Sequence, residues 1–280
     1  MIKFEHSVFA LPFAMVGMMW GSLAHSATAW PGWKVFLLVV VAMVSCRSAA
    51  MAFNRIVDRD IDAVNPRTAV RALPAGLLSL RQANLFFLAS CVVFVLAAVA
   101  LNPLAGALSP VALVVTLGYS FTKRFTWLCH FVLGLSLGIA PAAAWIASTG
   151  ALSWPILPMV AGVACWTAGF DLIYAMQDDD FDRDHGLQAM PARFGRRAAL
   201  STSRILHVLA IGFLAWSVVL VGGGVAAWVG VVFAAGMLAY EQSIVHPHDI
   251  SRVNLAFFTL NGFVSIGFFF AVLVDVLVKR

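Results

Sequence analysis

The chain has 280 residues, of which 62% are hydrophobic and only 11% charged. With a mean hydropathy of +0.93, this excludes an ordinary soluble domain, whose surface needs far more charge. The formal net charge of +5 is no nucleic-acid footprint in itself, because its placement decides its meaning. Cys46, Cys91, Cys129 and Cys165 lie in or beside apolar segments without C-x-x-C spacing. They read as buried small hydrophobes, with no disulfide framework or zinc site.

In chain order, Lys3, the apolar run from Val8 and Ala27-Thr28-Ala29 resemble a signal peptide. Glu5 and a run nearer twenty residues than ten argue instead for a retained first helix. Nine membrane helices are expected, at about 8–28, 34–54, 84–102, 105–120, 127–148, 155–177, 204–222, 224–241 and 254–276. Pro12, Pro110 and Pro141 fall inside them, as membrane helices tolerate. Trp20, Trp30, Trp33, Trp145 and Trp154 read as interfacial anchors. The phenylalanines of the last helix read as lipid-facing packing, with a tunnel lining as the alternative. The whole chain, 1–280, reads as a single all-α transmembrane domain, a bundle with its active-site opening on the cytoplasmic side.

Orientation follows from Lys and Arg. Lys3, Arg55, Arg59, Arg67, Arg71, Arg81, Lys123, Arg124, Arg183, Arg193, Arg196, Arg197, Arg204 and Arg252 fall on one side, which leaves Lys34, Lys279 and Arg280 on the other and Arg47 within helix 2. The N-terminus is therefore expected in the cytoplasm.

Two acidic stretches lie on that basic side. Asn54, Asp58 and Asp62 are spaced four and four; Asp171, Asp178 and Asp182 are spaced seven and four. At about 100° per residue, each set points roughly one way on a helix. The two stretches hold Asp58, Asp60, Asp62, Asp171, Asp178, Asp179, Asp180, Asp182 and Asp184, nine of the thirteen carboxylates. Such a ladder at the mouth of an apolar segment is costly unless a cation neutralises it. Hard oxygen ligands suit Mg²⁺, as a bridge to a diphosphate. The bland alternative is two solvated charge runs. Basic segments follow both ladders, Asn65-Pro66-Arg67-Thr68-Ala69-Val70-Arg71 and Gln188-Ala189-Met190-Pro191-Ala192-Arg193. Their spacing suggests two four-helix halves and a ninth helix. Acid ladders, arginines and an apolar interior together point to lipid-diphosphate chemistry.

On these residues the chain resembles the UbiA superfamily of intramembrane prenyltransferases over nearly its whole length. The N-x-x-x-D-x-x-x-D motif is present as Asn54, Asp58 and Asp62, and D-x-x-Y-A-x-x-D-x-x-x-D as Asp171, Tyr174, Ala175, Asp178 and Asp182. The resemblance implies Mg²⁺-dependent transfer of a polyprenyl group from its diphosphate to an electron-rich aromatic ring in quinone biosynthesis. Arg71-Ala72-Leu73-Pro74-Ala75-Gly76 and Tyr119-Ser120-Phe121-Thr122-Lys123-Arg124 resemble the 4-hydroxybenzoate branch, including menaquinone members that take dihydroxynaphthoates.

It further implies that Asp58, Asp62, Asp178 and Asp182 hold metal and diphosphate, with Asn54 giving an amide oxygen or holding a metal-bound water. Asp171 orients or deprotonates the acceptor hydroxyl, or is a passive partner for Arg47. Arg47 either makes that pair or receives an aromatic carboxylate or the diphosphate. Lys123, Arg124, Arg67 and Arg71 either close over the diphosphate or are flanking positive charge. Tyr174 packs with its hydroxyl near the site. Asp60, Asp179, Asp180 and Asp184 lie off the favoured faces and read as solvated; His130 and His207 read as packed or interfacial. Location in the bacterial inner membrane among its lipids is expected, with no nucleic acid and no obligate protein partner. Protohaem farnesylation is the alternative within enzymes, though histidines for a haem are not evident. A CDP-alcohol phosphotransferase lacks support because D-G-x-x-A-R is absent. A cation-coupled transporter is the alternative of another class, but it favours ionisable groups at the membrane midplane.

Overall fold

The computed structural model describes residues 9–26 and 28–278. Lys3, Glu5, Ala27, Lys279 and Arg280, which entered the first-helix and orientation readings, lie outside the described residues. The described chain is helical: α1 (Ala10–Ser26), α2 (Trp33–Val57), α3 (Arg59–Val64), α4 (Leu80–Leu101), α5 (Pro103–Thr122), α6 (Cys129–Thr149), α7 (Leu157–Ala175), α8 (Asp179–Asp184), α9 (Met190–Leu220), α10 (Val225–Ile244) and α11 (Asn261–Val278). A 3₁₀ turn (Trp154–Ile156) leads into α7, and a π-helical turn (Leu255–Leu260) leads into α11.

Among the described residues, eight helices are long and apolar enough to cross a membrane, so this is a multi-pass membrane protein. The short α3 and α8 are not among them, and α1 shows 17 described residues. α1 lies inside the bundle, packed on α6 and α11. Phe9 and Phe13 pack on Trp166, and Phe13 also on Phe268. A Cβ added to Gly17 would lie 2.3 Å from the Pro141 carbonyl oxygen, so only glycine lets α1 and α6 approach this closely.

The order of pairings repeats. α2 packs on α4 as α7 packs on α9, and the short α3 and α8 occupy corresponding places. The two acidic stretches thus stand at corresponding points along the chain.

Several expectations need correcting. Trp20 and Trp145 are core residues between α1 and α6, whereas Trp30, Trp33 and Trp154 are exposed. α4 starts at Leu80 rather than near 84, because Ser79 and Gln82 form a reciprocal capping box. α9 starts at Met190, not near 204, and bends at Gly195, whose φ of +82° breaks the helical path. Its arginine-rich first turns extend beyond the apolar span. Phe257 and Phe268 are buried in the core while Phe263 and Phe270 face outward. Among the described residues, the apolar cavity between α1, α2, α4, α5 and α6 takes no lining residue from α11.

Candidate active site

Both acidic ladders hinge at their middle aspartate. α2 ends at Val57, and Asp58 (φ −89°, ψ 5°) donates its backbone N–H to Asn54 and Ile56 before α3 begins. α7 ends at Ala175, and Asp178 (φ −111°, ψ 7°) opens α8. Each ladder is thus two helices joined at a corner, not one continuous face. The corner folds the last carboxylate back toward the bundle: Asp58 is 2% exposed, Asp62 4% and Asp182 8%.

The segment after α3 doubles back over this corner. Arg67 donates its backbone N–H to Asn65 Oδ1 at 2.9 Å, and Thr68 Oγ1 donates to the Asp62 carbonyl at 3.1 Å. These bonds aim Arg67 across the molecule at the second ladder. Its Nε donates to Asp178 Oδ1 at 2.8 Å, its Nη2 to Asp178 Oδ2, and its Nη1 to the Tyr174 hydroxyl at 2.9 Å. Asn65 Nδ2 adds a bond to Asp178 at 3.2 Å. Burial works against the Arg67 guanidinium, but Asp178 and Tyr174 outweigh it and hold its charged form well above the ordinary arginine range.

From the end of α5, Lys123 Nζ reaches Asp58 at 2.8 Å and Arg124 Nη2 donates to it at 3.1 Å. Asn54 Nδ2 donates to the same carboxylate at 3.1 Å. Arg71 Nη1 donates to both oxygens of Asp62, at 2.6 and 2.7 Å, and Arg55 lies 3.8 Å from it. Among the described residues, Asp182 has no such cation against it. Burial first, and the Asp178 charge second, push its carboxyl up to about 6, against the pull of Lys123 and Arg67.

All of these groups except Arg55 and Arg124 line a polar pocket of about 150 Å³ that also includes Tyr119, His130 and Asp171. An apolar cavity of about 310 Å³ lies between α1, α2, α4, α5 and α6. The two spaces are neighbours along α2, where Arg47 lines the cavity and Asn54 the pocket, and along α5, where Thr116 and Tyr119 do the same. Seven residues of helix separate Arg47 from Asn54, about 10 Å along the axis.

Asn54, Asp58, Asp62, Arg67, Lys123, Asp171, Tyr174, Asp178 and Asp182 therefore all line one pocket, and Arg124 is bonded at its edge. Arg47 does not line it. The expected Arg47–Asp171 pair is not formed, because His130 on α6 occupies Asp171 through an Nδ1···Oδ2 contact of 2.7 Å. Arg47 Nε, buried at the cavity wall, has no hydrogen-bond partner among the described residues. Asp179 is not solvated either: it is buried and held by two hydrogen bonds from Arg196, at 2.9 and 2.6 Å. His130 and Tyr119 are pocket residues that spacing along the chain did not reveal. The only sequence signal of His130 was polarity beside an apolar segment, while Tyr119 stood in the segment that resembles the 4-hydroxybenzoate branch without a role of its own.

The donor chemistry fits a hard cation. Asp178 and Asp182 are mutually repelling carboxylates, and only one of them has a cation of its own. Asp58, Asp62 and Asp178 are meanwhile held on arginine and lysine, and among the described residues no three acidic, histidine or cysteine side chains converge on one point.

A charged pocket for an oxyanion, beside a lipid-sized cavity in a multi-pass bundle, defines an enzyme of membrane lipid substrates. The chain belongs to the UbiA prenyltransferase family, whose model matches residues 14–270, and is a prenyl transferase. It is 32% identical over 259 residues to a 4-hydroxybenzoate octaprenyltransferase of Saccharophagus degradans, covering 92% of this chain and 86% of the relative. A protein of the same name from Aliivibrio fischeri is 31% identical, with coverages of 95% and 93%. The apo structure of a UbiA homologue from Aeropyrum pernix superposes with a TM-score of 0.88 at 35% identity, covering 98% of this chain and 99% of the other. An Archaeoglobus fulgidus UbiA homologue bound to geranyl diphosphate and Mg²⁺ shares the fold, with a TM-score of 0.73 at 20% identity, covering 96% and 95%.

Proposed function

We propose that this protein transfers a polyprenyl group from its diphosphate to a small aromatic acid, with 4-hydroxybenzoate the preferred class of acceptor. The observation that carries this reading is Arg67, which leaves the first ladder and grips the second, so that both ladders serve one pocket beside an apolar cavity. The relatives named 4-hydroxybenzoate octaprenyltransferase support the choice of ring.

In this reading Arg67, Arg71, Lys123 and Arg124 exchange carboxylate oxygens for those of the diphosphate. Asp58, Asp62, Asp178 and Asp182 are then free to hold Mg²⁺, with Asn54 beside them. Bound there, Mg²⁺ supplies neutralisation of the negative charge that develops on the departing diphosphate. The isoprenoid tail lies in the apolar cavity, its reactive C1 at the boundary with the pocket. Cleavage of the C1–O bond leaves an allylic cation and the departing diphosphate, a ring carbon forms the new C–C bond, and the ring proton passes to the diphosphate as aromaticity is restored and the acceptor oxygen regains its own proton. Asp171 orients the acceptor hydroxyl and accepts its proton, which raises electron density at the neighbouring ring carbon. Tyr174 holds Arg67 in register. Arg47, whose guanidinium Nε lacks a partner, receives the acceptor carboxylate. The bias of lysine and arginine toward the pocket end supports a cytoplasm-facing site, in a bacterial inner membrane.

The test uses purified protein in detergent with Mg²⁺, geranyl diphosphate and either 4-hydroxybenzoate or 1,4-dihydroxy-6-naphthoate. A C-geranylated benzoate in the mass spectrum, absent with EDTA and from D58A and D178A, is expected. Geranylation of the naphthoate alone would overturn the choice of acceptor.

A further inference from the structure

His130 stands at the start of α6 and is buried. Both of its ring nitrogens are engaged. Nδ1 lies 2.7 Å from Asp171 Oδ2, and Nε2 lies 3.2 Å from the backbone nitrogen of Met190. A backbone N–H only donates, so Nε2 must present its lone pair, and the ring proton sits on Nδ1. The imidazole is therefore neutral and donates to Asp171. Met190 is the first residue of α9, whose opening N–H groups have no partner within the helix. His130 satisfies one of them.

The ring is thus held at two points and cannot turn without leaving a buried donor unpaired. Asp171 Oδ2 is committed to it, while the Asp171 side chain remains 18% exposed and lines the pocket. The strap that fixes Met190 also meets the diphosphate end of the site: Gln188 donates its backbone N–H to the Lys123 carbonyl at 2.7 Å, and the Lys123 ammonium rests on Asp58.

We propose that His130 is a positioning residue for prenyl transfer, which fixes Asp171 through a neutral Nδ1–H so that the free carboxylate oxygen addresses the acceptor hydroxyl. The inference rests on the reading of Asp171 as the group that meets the acceptor. It concerns one direct hydrogen bond and its tautomer. A merely structural histidine would tie α6 to α9 equally well through either nitrogen.

Asparagine and glutamine separate the two cases. The Asn amide nitrogen occupies nearly the place of Nδ1, whereas the Gln amide group reaches the place of Nε2. Steady-state kinetics of the purified full chain, with Mg²⁺, geranyl diphosphate and 4-hydroxybenzoate, are measured for H130A, H130N, H130Q and D171N. H130A and H130Q are expected to lower kcat about 10- to 100-fold, the scale of a misplaced catalytic group. KM for geranyl diphosphate should stay within about twofold, since these groups do not hold it. H130N should recover most of the lost kcat. Equal activity of H130N and H130Q, or a loss confined to KM for geranyl diphosphate, would overturn the proposal. So would a kcat for H130A that matches the wild type while D171N is impaired. If D171N itself retains full kcat, the reading of Asp171 fails instead, and the inference falls with it.

Discussion

Asp182 offers a perturbation whose stability and activity effects run in opposite directions. Its carboxyl is pushed from an ordinary 3.8 up to about 6, by burial first and by Asp178 second. The folded state therefore holds the Asp182 proton more tightly than the unfolded chain does. The stabilisation this provides is complete below pH 3.8 and is lost as the pH rises through about 6. A displacement of about two pH units corresponds to about 3 kcal/mol, which the ionised group costs the metal-free fold at pH 7.5. D182N removes that charge while keeping the shape. In thermal unfolding in detergent without Mg²⁺ or diphosphate, D182N should melt above the wild type at pH 7.5, and the gap should shrink to about half at pH 5 and close only near pH 3.8. The same variant should lose prenyl transfer at pH 7.5. A D182N protein that melts below the wild type by the same margin at both pH values would refute the reasoning.

Three further substitutions probe other parts of the molecule. R47M removes a guanidinium that costs roughly 2.5–3.5 kcal/mol within a membrane helix on insertion scales. It should raise the melting temperature of the ligand-free protein and raise KM for 4-hydroxybenzoate at least about tenfold; a lower melting temperature would contradict the unpartnered state of Arg47. N261A strips the acceptor from Trp166 Nε1, bonded at 2.6 Å, and the donor from Glu241 Oε1, at 3.3 Å. It should cost about 1–3 kcal/mol for each buried group left unpaired, whereas E241Q, which keeps an amide oxygen for Asn261, should melt close to the wild type. G17A places a methyl group 2.3 Å from the Pro141 carbonyl oxygen. It should lower stability by about 1–3 kcal/mol as α1 and α6 are forced apart, read as a fall in melting temperature.

Much of the site was legible because it depends on short-range spacing. Asn54, Asp58 and Asp62, like Asp178 and Asp182, recur at the helical period, and the arginines that serve them follow within a few residues. What spacing could not supply was any contact made across the bundle. The corners at Asp58 and Asp178 arise where the backbone leaves helical geometry, and nothing in Asp-Arg-Asp or Asp-Asp-Asp dictates that break. The Arg196 partner of Asp179 lies seventeen residues away and the His130 partner of Asp171 forty-one. Apolar aromatic residues were equally ambiguous. Trp20 and Trp145 lie where α1 and α6 meet, whereas Trp30 precedes α2 and Trp33 opens it, and in a helix apolar all round the sequence does not say which face meets a neighbour. The early start of α9 was hidden because its arginine-rich turns read as loop.

The central claim is that the two ladders form one diphosphate site that needs a divalent cation. Isothermal titration of the purified protein with the unreactive geranyl thiodiphosphate tests it most directly, with and without Mg²⁺, for the wild type, D58N, D178N and R67M. The account predicts binding by the wild type only with Mg²⁺, and loss of at least about tenfold in affinity in each variant, whichever ladder it touches. Undiminished binding without Mg²⁺, or wild-type affinity after either ladder is altered, would contradict it.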